Sequence, residues 1–221
     1  MKTHIYLVPG LAACSKIYDY LDLPKDKYEL HFIEWLIPEH VNEPLVQYAN
    51  RMSKLVTEKN SILIGVSFGG IMVQEMSKIL QTKKTIIISS VKNSGEIPKR
   101  LKITKLTKAY KYLPYKKVAR NEGVVGFLFN KMSKKRSERY KQFLSVRDEV
   151  YLEWSIYNVL NWDQKETLPN VVHIHGNSDG IFPIKHIKNC IVIEGGAHVM
   201  IINKAKKVSA ILLDILQGNT H

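Results

Sequence analysis

Six short runs of apolar and β-branched residues recur along the chain, and stretches with helical periodicity lie between many of them. Most of these runs are continuously apolar, as expected of strands buried on both faces of a parallel sheet. Alternating strand and helix patterns predict an α/β fold, with a mostly parallel sheet of about six strands flanked by helices. The predicted strands are His4–Val8, Tyr28–Ile33, Ile62–Val66, Thr85–Ser89, Val171–His175 and Cys190–Glu194.

The predicted helices fall mainly between these strands, and the last one has an amphipathic stripe that suits a helix covering a sheet. They are Ser15–Leu21, Glu43–Glu58, Gly69–Leu80 and Lys204–Leu216. A length of 221 residues is enough for one domain with a sizeable core.

Between Ser89 and Pro169 the pattern changes, because lysine, tyrosine and leucine dominate and Pro98 and Pro114 break the helical stretches. We therefore predict that residues 1–91 and 169–221 form the core, and that residues 92–168 are a basic helical cap inserted in it. The formal net charge of the chain is +13. Residues 92–147 contain 17 basic and three acidic residues, so this insert accounts for the charge.

The charge of the insert has two interpretations. In the first, its basic residues attract an anionic substrate, a coenzyme A thioester or an anionic membrane surface, and nearby tyrosines add contacts. In the second, the basic residues form the solvated face of short helices. The residues concerned are Lys99, Arg100, Lys102, Lys105, Lys108 and Lys111, with Tyr110, Tyr112 and Tyr115. The apolar segment 123–129 lines an acyl pocket or fixes the cap to the core. No nucleic-acid-binding motif is present, so we expect no specific nucleic-acid partner.

The strongest local motif is Gly65-Val-Ser67-Phe-Gly69, which follows an apolar strand and opens a helical pattern. A G-x-S-x-G string alone is weak, but a strand before it and a helix after it are the context of a nucleophile elbow. The glycines let the chain turn tightly, so that the Ser67 hydroxyl is exposed above the sheet. Ser67 is therefore the candidate nucleophile; its alternative is an idle serine in a glycine-rich turn.

With this elbow, the chain resembles the α/β-hydrolase fold superfamily, in a compact version with an inserted cap and without the two leading strands. The resemblance implies a triad in the order serine, acid, histidine. Asp179 takes the acid position in His175-Gly-Asn-Ser-Asp179, after the fifth strand. His198 takes the base position in Gly195-Gly-Ala-His198, after the last strand. Taken alone, Asp179 before a glycine also suits a simple turn.

The resemblance also implies two backbone N–H donors for an oxyanion, from Phe68 after the nucleophile and from Leu11 after the first strand. The loop before Leu11 has Pro9-Gly10 where many relatives have His-Gly. This difference keeps the glycine, although Pro-Gly also suits an ordinary turn.

We expect no metal and no cofactor. No H-E-x-x-H spacing and no glycine-rich nucleotide motif is present, and His173 and His175 are expected to face opposite sides of their strand. The chain has two cysteines and no export signal, so we expect reduced thiols and a cytoplasmic location.

The function expected is hydrolysis of a small carboxylic ester through an acyl-enzyme. The same triad also suits a thioesterase acting on acyl-coenzyme A, or a carbon–carbon bond hydrolase. An alternative from another class is a ligand- or membrane-binding protein that keeps a hydrolase fold without turnover. The sequence leaves the oligomeric state open.

Overall fold

A computed structural model of the chain describes residues 2–113, residue 115 and residues 142–219. Six strands form one sheet in the order β2-β1-β3-β4-β5-β6, and every neighbouring pair is parallel. The strands are β1 Thr3–Val8, β2 Tyr28–Phe32, β3 Ile62–Val66, β4 Lys84–Ile88, β5 Val171–Gly176 and β6 Ile191–Ile193. The six-stranded parallel sheet predicted from the sequence is confirmed, with strand ends shifted by one residue at most.

Helices cover both faces of this sheet. The α-helices are α1 Leu45–Ser53, α2 Phe68–Ser77, α3 Lys99–Leu106, α4 Glu149–Asn161, α5 Met200–Asn203 and α6 Ala205–Gln217. Single 3₁₀ turns lie at Ser15–Tyr18, Ser94–Glu96, Ala109–Tyr112 and Ile184–His186. Helix α1 is shorter than predicted at both ends, since it begins after Pro44, which occupies its N-cap, and ends at Ser53 instead of Glu58. The predicted helix at Ser15–Leu21 is only a 3₁₀ turn.

Alternation along the strands divides the apolar side chains between two cores. Tyr6 and Leu63 point to the core that includes residues of α1, α2 and α4. Ile5 and Ile64 point to the other core, which includes residues of α6. Burial on both faces explains why the strands are continuously apolar in sequence.

The chain changes direction across the sheet next to β1. Strand β2 lies on one side of β1 and strand β3 on the other, so the loops leaving β1 and β3 diverge at their carboxyl ends. Open α/β sheets bind ligands at such a switch point. The loop after β1 carries Leu11, and the turn after β3 carries Ser67.

Helices α3 and α4 lie in the segment between β4 and β5 where the cap was predicted. Helix α4 is well packed, since Tyr151 and Trp154 are fully buried with α1 and α2 residues. The apolar segment 123–129 lies outside the described residues, so its role stays a prediction. In the ranges described, no helix combines the length and hydrophobicity needed to cross a bilayer.

Candidate active site

Ser67 stands at a strained turn between β3 and α2. Its backbone has φ 54° and ψ −117°, a conformation that residues other than glycine rarely adopt. The turn requires its glycines: a Cβ on Gly65 would lie 2.2 Å from the Gly69 carbonyl oxygen, and a Cβ on Gly69 would lie 2.3 Å from the Val8 carbonyl oxygen. The elbow motif therefore folds into the conformation that its glycines predict.

Three side chains from distant parts of the chain meet at this turn. The Nε2 atom of His198 lies 2.9 Å from Ser67 Oγ, and its Nδ1 atom lies 2.9 Å from Asp179 Oδ2. Asp179 and His198 are buried, whereas Ser67 keeps some exposure. The structure thus brings together the serine, the histidine and the acid that were selected from the sequence.

Asp179 is held by its own loop as well as by His198. Its Oδ1 atom accepts the backbone N–H groups of Ile181, at 2.7 Å, and Phe182, at 2.9 Å. Burial acts to raise the pKa of this carboxyl, but the electrostatic interactions with the His198 and His175 rings and the hydrogen bonds from His198 and Phe182 outweigh it. The pKa of Asp179 is therefore lowered from its ordinary value, so the carboxylate is ionised at neutral pH.

The ionised Asp179 carboxylate determines which nitrogen of the His198 ring carries the proton. A carboxylate only accepts hydrogen bonds, so Nδ1 of His198 carries a proton and donates it to Asp179. In the neutral ring Nε2 then has a lone pair, which accepts the hydrogen bond from the Ser67 hydroxyl. This is the tautomer that a base for serine needs.

Two further histidines extend the network behind Asp179. His175 Nε2 lies 2.8 Å from the Phe182 carbonyl oxygen and 3.7 Å from Asp179 Oδ2. His175 Nδ1 lies 3.0 Å from His173 Nε2. The expectation that His173 and His175 face opposite sides is wrong, because residues two apart on a strand share a face.

The partners of these two rings define their tautomers. His175 Nε2 donates to a carbonyl, so its Nδ1 accepts a hydrogen bond from His173 Nε2. His173 Nδ1 is then a bare acceptor, buried and without a partner in the described part of the chain. The ring contact could have been found from the His-x-His spacing, but the Phe182 contact could not.

Both rings stay neutral because they are buried. Burial, together with the neighbouring His175 ring and the Lys92 charge, lowers the pKa of His173 well below its ordinary value. Burial also lowers the pKa of His175, although the Asp179 charge and the Phe182 carbonyl act in the other direction. The segment 177–183, which follows β5 and carries Asp179, is the acid loop. His175 supports this loop as a neutral hydrogen-bond donor to the Phe182 carbonyl.

The N–H groups expected to bind an oxyanion lie where two segments touch. Phe68 is the first residue of α2, so its N–H has no partner within the helix. The loop carrying Leu11 packs against the start of α2, as the close approach of Gly69 to Val8 and Pro9 shows. The neighbouring Ala12 N–H donates to the hydroxyl of buried Tyr151 at 3.3 Å, so α4 supports this loop.

Some residues assigned to substrate attraction have structural contacts. Arg100 Nη2 donates to the carbonyl oxygens of Gly180, at 2.6 Å, and Ile181, at 2.9 Å, and so links α3 to the acid loop. Tyr110 and Tyr115 are buried, and only Tyr112 of the three tyrosines is exposed. The sequence contained no signal for the role of Arg100, because its partners are backbone carbonyls 80 residues away.

Possible metal ligands come together elsewhere. Within the described ranges, the one group of three such side chains is His4, Glu29 and His31, on β1 and β2. It lies at the opposite end of the sheet from Ser67.

Comparison with known proteins adds a fold relationship. No model of a protein family matches the chain, and no curated protein matches its sequence. Many solved structures match its fold. A hydrolase from Pseudomonas aeruginosa PA01 superimposes with a TM-score of 0.67 at 14% identity, over 97% of this chain and 90% of that one.

Two further structures agree with it. A lipase-esterase related protein from Clostridium acetobutylicum ATCC 824 has a TM-score of 0.63 at 16% identity, covering 96% of this chain and 93% of that one. A thermophilic esterase from Thermogutta terrifontis has a TM-score of 0.64 at 12% identity, covering 99% and 90%. The chain therefore has the α/β-hydrolase fold, in a compact version with a six-stranded sheet.

Proposed function

We propose that this protein is a serine hydrolase that cleaves a carboxylic ester, with Ser67 as nucleophile, His198 as general base and acid, and Asp179 as the acid of the triad. The observation that carries the proposal is the continuous hydrogen-bonded path from Ser67 Oγ through the His198 ring to Asp179, with 2.9 Å at each step. The strained elbow, which aims Ser67 at the switch point of the sheet, supports the same conclusion.

In the first step, Ser67 Oγ attacks the ester carbonyl carbon while its proton passes to His198 Nε2. The carbonyl oxygen becomes an oxyanion, for which the backbone N–H groups of Phe68 and Leu11 are the proposed donors. Asp179 stabilises the imidazolium that forms and keeps the ring oriented. The intermediate then expels an alkoxide, which takes the proton from His198 and leaves as the alcohol.

In the second step, water replaces the alcohol. His198 takes one proton from the water as its oxygen attacks the acyl carbon, and a second tetrahedral intermediate forms. Its collapse breaks the bond to Ser67 Oγ, and His198 returns the proton to that oxygen. The carboxylic acid leaves and Ser67 is regenerated. These residues supply every proton transfer in both steps.

Labelling with a fluorophosphonate probe tests the nucleophile. We expect the wild type to be labelled on Ser67, identified by mass spectrometry of the labelled peptide, and labelling to be lost in Ser67→Ala and His198→Ala. Ser178→Ala is the matched control, because Ser178 is an exposed serine in the loop that carries Asp179. A folded wild type that does not react, or label on another serine, would contradict the proposal.

The bond that is cleaved needs a separate measurement. Turnover of p-nitrophenyl esters of increasing chain length, compared with acyl-coenzyme A, separates an esterase from a thioesterase. We expect the higher kcat/KM for an ester. Faster thioester hydrolysis would replace the ester assignment while leaving the triad in place. Tight ligand binding without turnover, unaffected by Ser67→Ala, would favour a binding protein.

A further inference from the structure

The amino end of the sheet carries a cluster of three side chains that the proposed reaction does not use. His4 lies on β1, and Glu29 and His31 lie on β2. The register of the two strands pairs His4 with Glu29, and Tyr6 with His31. Residues two apart on a strand share a face, so the three side chains project from the same side of the sheet.

The ligand atoms of this cluster lie close together. His4 Nδ1 lies 2.9 Å from His31 Nε2 and 3.8 Å from Glu29 Oε2. All three ligand atoms lie within 4.8 Å of one another. A tetrahedral zinc ion with bonds of about 2.0–2.2 Å requires ligand atoms about 3.4 Å apart. The two shorter contacts are thus within about half an ångström of that requirement.

The strand pair positions one ligand firmly and leaves another free to adjust. The Tyr6 ring stacks on His31, with centroids 4.5 Å apart and planes 14° apart. The Tyr6 hydroxyl in turn bonds Thr57 Oγ1 at 3.0 Å. By contrast the Glu29 side chain is 51% exposed and His4 is 28% exposed, so the carboxylate can swing inward.

We propose that His4, Glu29 and His31 form a binding site for a divalent transition-metal ion, with zinc as the ion best suited to them. Two imidazoles and one carboxylate are a ligand set that zinc uses in proteins, with water at the fourth position. The exposed side of the cluster gives an ion and its water access. This proposal departs from the expectation of no metal, which considered only spacing along the chain.

The proposed metal site is remote from Ser67. His4 is level with Ser61 in the sheet, and the six residues from there to Ser67 correspond to roughly 20 Å along the strands. A bound ion would tie β2, an edge strand, to β1. Zinc therefore stabilises the folded chain by binding it and not the unfolded chain.

Zinc titration of the full chain without a polyhistidine tag tests the site. After chelator treatment, ZnCl₂ is titrated by isothermal calorimetry and its effect on thermal unfolding is measured. We expect one ion bound at this site and a rise in Tm of about 5–10 °C when free zinc exceeds its Kd a hundredfold. Failure of the wild type to bind zinc would overturn the proposal.

Variants locate the ion. His31→Gln keeps a side chain that can hydrogen-bond His4 but is a poor zinc ligand, and we expect it to weaken binding at least tenfold. We expect His4→Gln and Glu29→Gln to weaken it too. His40→Gln is the matched control, because His40 is an exposed histidine outside the cluster.

Each outcome decides the site. Equal zinc affinity in wild type and His31→Gln would place the ion elsewhere and overturn the proposal, leaving the two imidazoles as a hydrogen-bonded pair. Circular dichroism of each variant without zinc shows whether it is folded. Cobalt added in place of zinc gives visible absorption bands, and their loss in His31→Gln but not in His40→Gln would support the site independently.

Discussion

Two clusters of imidazole and carboxylate groups lie at opposite ends of one sheet, and they differ in burial. The carboxyl-end cluster consists of His173, His175, Asp179 and His198, and the amino-end cluster of His4, Glu29 and His31. Every member of the first is at most 5% exposed. In the second, His4 and Glu29 retain 28% and 51% of their side-chain exposure.

The comparison shows how burial changes what the same side chains can do. In the carboxyl-end cluster the rings are buried, so His173 and His175 stay neutral. The tautomer of His175 is determined by its hydrogen bond to the Phe182 carbonyl, and that of His198 by its hydrogen bond to Asp179. That order suits proton transfer at Ser67. In the amino-end cluster the groups can reach solvent, so an ion can enter and Glu29 can adjust. That freedom suits metal binding.

The largest effect expected is loss of the base in the carboxyl-end cluster. We expect His198→Ala to lower kcat/KM for an ester about 10⁴-fold or more, because no other imidazole reaches Ser67 within the described part of the chain. Ester hydrolysis assays check this. His40→Ala, at an exposed histidine, should leave kcat/KM within about twofold of wild type. Equal losses of kcat/KM in both variants would show that the activity does not depend on the carboxyl-end cluster.

The next largest effect is expected when the carboxylate that orients His198 is replaced. Asp179→Asn replaces an acceptor by a group that also donates, so His198 is expected to turn or change tautomer. We expect a fall in kcat of about 10³–10⁴-fold with little change in the circular dichroism spectrum. Asp26→Asn, at an exposed aspartate, is the control. Activity above a tenth of wild type would argue that Asp179 is only a turn residue.

The third effect concerns stability and pH. Because the pKa of His173 is lowered in the folded state, the unfolded chain binds more protons below pH 6.5, and stability falls as the pH falls. If the His173 ring stays neutral in the folded chain, the free energy of unfolding falls by about 2 kcal/mol between pH 7 and pH 5. The lowered pKa of Asp179 acts only below about pH 4, outside this window.

Urea unfolding of the wild type and His173→Gln at pH 7, 6 and 5 measures this contribution. We expect the variant to lose about 2 kcal/mol less stability over this range than the wild type. His40→Gln controls for removal of one imidazole at the surface. The same pH dependence in wild type and His173→Gln would show that burial does not keep this ring neutral.

The smallest effect is expected when the link between α3 and the acid loop is removed. Arg100→Gln removes the bonds to Gly180 and Ile181, so we expect kcat to fall several-fold as the Asp179 loop loosens. Lys102→Gln removes the same charge from the same helix at an exposed position. If both variants instead raise KM equally for an anionic substrate and leave kcat unchanged, Arg100 acts through charge rather than as an anchor.

Much of the fold could be predicted from local patterns. The six strands follow from apolar runs, because strands buried on both faces leave few polar positions. The elbow follows from Gly65, Ser67 and Gly69 in a strand–helix context, since few other residues fit that turn. Helix ends were less predictable: α1 begins one residue after Pro44, at Leu45, where the sequence pattern alone suggested Glu43.

The relation among the site residues needed the fold. Asp179 and His198 were selected from their order along the chain and a family resemblance, and the 2.9 Å contacts come from strands β3, β5 and β6 ending at one edge. Arg100 escaped prediction because it bonds backbone carbonyls. The error about His173 and His175 is different, because residue spacing alone was sufficient to correct it.

By itself, the sequence determined the strands, the elbow at Ser67 and the concentration of positive charge between β4 and β5. These features depend on neighbouring residues, so short-range periodicity and steric limits define them. Only the tertiary structure decided that His198 meets Ser67 across 131 positions, and that His4 meets His31 across 27. Both contacts depend on strand order and register, because parallel pairing brings together residues that are far apart along the chain.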